Sequence, residues 1–304
     1  MNKSIIVTGP TASGKSDIAI KMAKKLNGEI VSADSMQIYK KMDIGTAKPD
    51  LFQLNEVKHH MIDIIDIEDN YSVARYKDEA IKCIKDILSR SKVPIITGGT
   101  GLYIDSLLYG ISFNNEYPEN KRRFELYLKE NGKEELFKLL LERDEQAALT
   151  THPNNTKRVI RYLDILSRFK GTLSEYKQQA IKNDSGIDFN VFVLNPSRDK
   201  LYERIESRVD IMIEKGLIEE VLSILKSQID SNCTSMQAIG YKEVVKYLDG
   251  YCTYDEMIRI LKMNTRNYAK RQITWFKRYK EAQFIDTSKF ENSNEITRFI
   301  ISCL

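Results

Sequence analysis

The run SIIVTGPTASGKSDIAIKMAKKL, residues 4–26, constrains the fold more than any other part of this 304-residue chain. It opens on Ile5, Ile6 and Val7, a short β-branched segment that reads as a buried strand. It then fits Gly-x-x-x-x-Gly-Lys-Ser at Gly9, Gly14, Lys15 and Ser16. Beyond the loop, Ile18, Met22 and Leu26 recur at four-residue steps beside Ala19 and Ala23, one face of a helix. Strand, glycine loop and amphipathic helix in that order form a cradle for a polyphosphate. Gly9, Pro10, Thr11, Ala12, Ser13, Gly14, Lys15 and Ser16 would surround it. The glycines let backbone N–H groups turn inward, Lys15 adds a point charge, and the Ser16 hydroxyl suits Mg²⁺. The helix that follows directs its positive end at the anion. None of this says which polyphosphate.

Three further apolar runs, EIVSA (29–33), VPIIT (93–97) and NVFVL (190–194), are short and bounded by turn residues. With helical patterns among them they predict an α/β chain with a parallel sheet. Between Ile111 and Asp188 the pattern turns helical and charge-rich, far longer than an ordinary connection. The expected architecture is a P-loop NTPase-like parallel-sheet core, residues 1–112 and 187–304, carrying an all-helical insertion domain at 113–186.

Two more stations fall at strand ends, where open parallel sheets bind ligands. Asp34, in SADSMQIY, follows the second strand and reads either as a site carboxylate or as a turn cap. TGGTGLY, residues 97–103, either brings a backbone close to a ligand or makes a tight turn. A nucleotide-hydrolysing P-loop protein carries a Mg²⁺-binding Asp at the end of an apolar strand. Here VPIIT runs into Thr-Gly-Gly, and Asp63 and Asp66 in MIDIID are the nearest substitutes.

The formal net charge of +4 is uninformative, but its distribution is not. From Arg259 to Lys280 there are eight Lys/Arg and no Asp or Glu, and Arg259, Lys262, Arg266 and Lys270 fall at helical steps. Such a face points to a polyanion, against the alternative of an ordinary solvated surface. Lys157, Arg158, Arg161 and Arg168 make a weaker basic face in the insertion. Cys83, Cys233, Cys252 and Cys303 form no C-x-x-C pair, so neither zinc nor a disulfide framework is expected. His59 and His60 read as local hydrogen-bonders. No stretch approaches the roughly 18 apolar residues of a membrane span. A soluble, cytoplasmic monomer is expected.

GPTASGKS, SADSMQIYKKMDIGTAKP, HHMIDI, YSVARY, GGTGLY, QAIGYKE and TRNYAKRQITWFKR together resemble the bacterial tRNA dimethylallyltransferases (tRNA isopentenyltransferases), in order and over nearly the whole chain. The resemblance implies transfer of a dimethylallyl group from dimethylallyl diphosphate to N6 of the adenosine 3′ to the anticodon. The tRNAs concerned read codons beginning with U. It also implies a helical insertion that clasps the anticodon stem-loop. By the same resemblance, Asp34 is the general base, Thr11 bonds the bridging oxygen and Arg198 neutralises diphosphate, with Arg204 and Arg208 as alternatives. Gly9 to Ser16 then hold the diphosphate, Ser16 with Mg²⁺. Asp34, Ser35, Met36, Gln37, Thr100 and Arg158, Val159, Ile160, Arg161 and Tyr162 would contact tRNA. Lys262, Arg266 and Lys270 join them on charge. Three readings compete: an adenylate isopentenyltransferase acting on AMP, ADP or ATP; a nucleoside- or shikimate-type kinase; and a nucleotide-gated RNA-binding module.

Overall fold

The structure, a computed structural model, describes residues 3–110, 118–180 and 186–304. Its sheet comprises β1 (Lys3–Thr8), β2 (Gly28–Ser32), β3 (His59–His60), β4 (Val93–Gly98), β5 (Asp188–Leu194) and β6 (Gln283–Ile285). The strand order is β3-β2-β4-β1-β5-β6, and every pairing is parallel. Thr8 lies opposite Gly98 and Ser32 opposite Thr97, so the carboxyl ends of β1, β4 and β2 align. The segments leaving these strands therefore emerge side by side, and they are the three stations singled out above.

Helices α1 (Lys15–Leu26), α2 (Leu51–Glu56), α3 (Val73–Ser89) and α4 (Gly101–Leu108) belong to the first half of the chain. α1 buries Ile18, Met22 and Ala23 against Ile5, Val7, Ile95 and Phe192. Ile18 and Met22 each contribute about 1.5–3 kcal/mol on leaving water, and Ala23 less. Asp17 in its first turn and Lys24 and Lys25 in its last complement the helix dipole.

The chain divides into two compact units, Met1–Ile104 with Gly186–Leu304, and Asp105–Ser185. The division expected near residue 113 falls outside the described residues. The second unit holds α5 (Pro118–Arg143, broken at Gly132), α6 (Glu145–Leu149), α7 (Thr156–Leu166) and α8 (Leu173–Ala180). Leu136, Leu140, Val159, Leu163 and Leu166 form its core. The buried Asp144 secures it: Oδ1 accepts from Ala147 N–H at 2.9 Å and Oδ2 from Leu173 N–H at 2.7 Å. One carboxylate thus caps one helix and anchors the start of another.

The first unit continues with α9 (Arg198–Glu214), α10 (Leu217–Lys226), α11 (Tyr241–Leu248), α12 (Tyr254–Phe276) and α13 (Ser293–Ser302). α12 starts from a capping box in which Thr253 and Glu256 satisfy each other's backbone N–H groups. Its buried stripe is Met257, Leu261, Thr265, Ala269, Gln272 and Phe276. No helix among the described residues is long and apolar enough to cross a membrane.

Candidate functional site

The loop between β1 and α1 closes on itself. Ser13 N–H donates to the Pro10 carbonyl at 3.2 Å, and Lys15 Nζ reaches the same oxygen at 3.3 Å. Gly14 precedes the helix at φ +88°, a left-handed backbone that a side chain would strain. Behind the loop, Thr8 Oγ1 donates to the Gly98 carbonyl at 2.8 Å, tying the end of β1 to that of β4. Ala33 N–H donates to the Thr97 carbonyl at 2.7 Å, and Thr100 N–H to the Ala33 carbonyl at 3.1 Å, tying β2 to β4.

Asp34 follows directly. Its Oδ1 accepts from Met36 N–H at 2.9 Å, a local turn contact that leaves the second carboxylate oxygen uncommitted by any contact above. Oδ1 thus makes the turn contact that the cap reading expects. Ser35 N–H donates to Thr100 Oγ1 at 2.9 Å, and that hydroxyl donates to Ser35 Oγ at 3.2 Å. Gln37 is fixed by Ser32 Oγ, which donates to its Oε1 at 3.1 Å, and by its own Nε2 on the carbonyls of Thr46 and Ala47, both at 3.3 Å.

Thr11, Lys15, Asp34, Thr97, Arg208 and Gln272 line one cleft. A second, wider space of about 1000 Å³ runs along α9 and shares Lys15, Ser16 and Arg208 with it. Burial, and then the Arg208 guanidinium, push the Lys15 ammonium down to about 8, while Asp34 opposes them. Burial likewise lowers Arg208, again against Asp34. Two cations are thus held together in a poorly hydrated place with one carboxylate between their influences. An anion with several charges would relieve that repulsion.

The arginine in this cleft is Arg208, whose Nη1 donates to Thr11 Oγ1 at 3.2 Å. Arg198, the first choice from sequence, does not line it. Arg198 sits exposed in the first turn of α9 with its guanidinium carbon 5.2 Å from the Tyr202 ring centre. Ten residues separate the two arginines, about 15 Å along a helix, and only one can meet the loop.

Other expectations also change. Val159, Ile160 and Tyr162 are buried in the core of the second unit, because they occupy the apolar face of α7. Arg158 stays exposed, with Nε donating to Tyr162 Oη at 2.8 Å. Arg161 and Arg168 converge on the buried Asp164 at 3.2 and 2.8 Å. On α12 the basic face is real, but Lys262 pairs with Asp210 at 2.7 Å and Arg266 with Glu206 at 2.6 Å. Acids on α9, invisible to a scan along α12, offset two of its charges. Lys270 Nζ lies 6.0 Å from the Tyr202 ring centre. Asp63 pairs with Lys48, and Asp66 with Lys40 at 3.1 Å, so neither carboxylate stands in for a strand-end Asp. β4, beside β1, carries Thr97 one residue before its end, and the buried Oγ1 of Thr97 has no hydrogen-bond partner.

Among the cleft residues that the sequence reading did not assign to the site are Gln272 and Tyr268. Gln272 carried a signal: it is a polar residue falling on the buried stripe of α12. Tyr268 carried none that separates it from a core aromatic.

Fold and cleft together define an α/β protein with a phosphate loop, an opposing arginine and a carboxylate at the neighbouring strand end. A model of the IPP transferase family matches residues 37–279, most of the chain, and the chain belongs to that family. A tRNA dimethylallyltransferase of Acetivibrio thermocellus is 44% identical over 300 residues, covering 98% of this chain and 96% of the relative. One of Clostridioides difficile is 47% identical over 305 residues, with the same coverage of 98% and 96%. The crystal structure of the full-length tRNA isopentenylpyrophosphate transferase of Bacillus halodurans superposes with a TM-score of 0.74 at 38% identity, covering 99% of this chain and 96% of that one. A eukaryotic dimethylallyltransferase acting on tRNA gives 0.82 at 28% identity, covering 99% and 79%.

Proposed function

We propose that this chain is a Mg²⁺-dependent tRNA dimethylallyltransferase. It moves the dimethylallyl group of dimethylallyl diphosphate to N6 of the adenosine 3′ to the anticodon, in tRNAs reading codons that begin with U, and releases diphosphate. The observation that carries this is the meeting of Lys15 and Arg208 beside Asp34 at the phosphate loop.

The residues divide the work by charge. The first-turn amides of α1, Lys15 and Arg208 hold the diphosphate, where negative charge grows as the allylic C–O bond breaks. Thr11 Oγ1 already accepts from Arg208, so its own proton is available for the bridging oxygen. Asp34 takes the proton of the adenine amine. That amine is a poor acid until nitrogen bonds to carbon, after which an ordinary carboxylate suffices as base. Ser35, Met36, Gln37 and Thr100 then form the wall met by the adenosine, which leaves its loop stack to reach the cleft.

The donor set suits Mg²⁺, which keeps waters and takes few protein oxygens alongside phosphate oxygens. Ser16 would offer the ion one hydroxyl, and the orphaned Thr97 hydroxyl is a further oxygen lining the same cleft. When bound, the ion would neutralise charge on the departing diphosphate. For the tRNA backbone, Arg158 on α7 and Lys270 on α12 are the cations this reading relies on most. Arg161, Lys262 and Arg266 contribute less because each has an acidic partner. The chain acts as a cytoplasmic monomer without zinc.

The test offers protein, Mg²⁺ and dimethylallyl diphosphate to an unmodified tRNA with adenosine beside its anticodon. Parallel reactions supply AMP as acceptor, or ATP in place of the donor. Nucleoside mass spectrometry should find one dimethylallyl group on tRNA alone. Product on AMP alone would move the chain to the adenylate branch, and ATP consumption without prenyl product would make it a kinase.

A further inference from the structure

Gln272 is 5% exposed and lies near the C-terminal end of the basic helix α12, yet both ends of its amide are spent on the phosphate site. Its Oε1 accepts from Thr11 N–H at 2.8 Å, and its Nε2 donates to the Gly99 carbonyl at 2.9 Å. The two partners come from the loops after β1 and β4. A carboxamide suits this place because it presents an acceptor and a donor from one rigid plane. The bond to Gly99 is buried and the bond from Thr11 part-buried, so losing either leaves a backbone group with limited access to water unsatisfied.

We infer that Gln272 is a positioning residue that sets the phosphate loop for diphosphate, an inference that rests on the function proposed above. Thr11 is the lever. Its N–H is held by Gln272 and its hydroxyl by Arg208, so Gln272 fixes where that hydroxyl and the guanidinium behind it stand. The glycine at position 99 is part of the device. A Cβ there would lie 2.2 Å from Gln272 Nε2, so any side chain pushes the amide away. Tyr268, one turn earlier on α12, lines the same cleft. One helix thus carries the basic face and also tunes the grip on the donor.

The experiment measures binding of inorganic pyrophosphate with Mg²⁺ by titration calorimetry, alongside binding of an anticodon stem-loop RNA and the thermal midpoint. Gln272→Met keeps the volume and loses both hydrogen bonds. Gly99→Ala keeps Gln272 and displaces it. Each should raise the pyrophosphate Kd about tenfold, the size of one lost buried hydrogen bond. RNA affinity should stay within about twofold, and the midpoint within a few degrees. The decisive arm is Gly99→Ala in a Gln272→Ala background, where the obstacle is gone and the second change should add nothing. An unchanged Kd for Gln272→Met, or effects that multiply to about a hundredfold in the double variant, overturns the inference. Absence of pyrophosphate binding by the unaltered protein overturns the proposed diphosphate site itself, and this inference with it.

Discussion

Glu29 offers a sharp test of how the sheet supports the site. It is 2% exposed in β2, five residues before Asp34, and four donors converge on it. Arg90 contributes Nη1 at 2.5 Å and Nη2 at 2.8 Å, and Lys92 Nζ and His60 Nε2 each lie at 2.8 Å. Glu29→Gln keeps the shape, removes the charge and turns an amide N–H₂ toward those donors. Charge-assisted bonds are worth about 1.5–3 kcal/mol each, and breaking one side of a buried pair costs about 3–5 kcal/mol. Arg90 and Lys92 are each 35% exposed and recover part of their hydration. The expected loss is therefore about 3 kcal/mol, or roughly 6–12 °C in the midpoint of a unit of this size. The pH dependence follows from the partners, Arg90 first, which hold the Glu29 carboxyl well below its ordinary 4.5. A carboxyl depressed on folding stabilises fully above its unfolded pKa and loses that contribution as pH falls. The gap between the two proteins should be full at pH 7 and close progressively below about pH 4.5. Urea unfolding across pH 3.5–7 measures it. A gap under about 1 kcal/mol at pH 7, or one that ignores pH, refutes the reasoning.

Three further outcomes follow from the site. Asp34→Asn should lower kcat by about 10²–10⁴-fold with tRNA affinity retained, and near-normal turnover would remove Asp34 as base. Arg208→Ala should weaken pyrophosphate binding at least tenfold while Arg198→Ala changes it less than twofold, read by the same calorimetry. On α12, Lys270→Ala should flatten the slope of log K for tRNA against log salt by close to one unit, and Lys262→Ala by clearly less, because Asp210 already neutralises Lys262. Equal slopes for the two would mean that the pairing on α9 does not persist in solution.

The unequal legibility of the chain has physical causes. β1, β2, β4 and β5 were readable because each is a buried run of five to seven residues with β-branched side chains. β3 and β6 were not, since two and three residues at the sheet edges carry no periodicity. The glycine loop and Asp34, which line one cleft, could be singled out because they are local. A short motif fixes the backbone at the first, and the end of a strand brings the second beside it.

Arg208 is another kind of residue. Three arginines lie within eleven positions of α9, and which of them meets Thr11 depends on the register of that helix against α12. That register is set by the packing of Leu201, Ile205 and Val209, which no local pattern encodes. The same limit explains the basic face of α12. Lys262 and Arg266 look unopposed along their own helix, and only the register of α9 brings Asp210 and Glu206 against them. Gln272 lies between these cases. A lone amide on an apolar stripe is costly unless something buried needs it, so the stripe marks the residue while only the fold identifies its partners, Thr11 and Gly99. Chemistry that one segment supplies is legible in sequence. Chemistry that two segments must share becomes legible only when the breach of a burial rule exposes one of them.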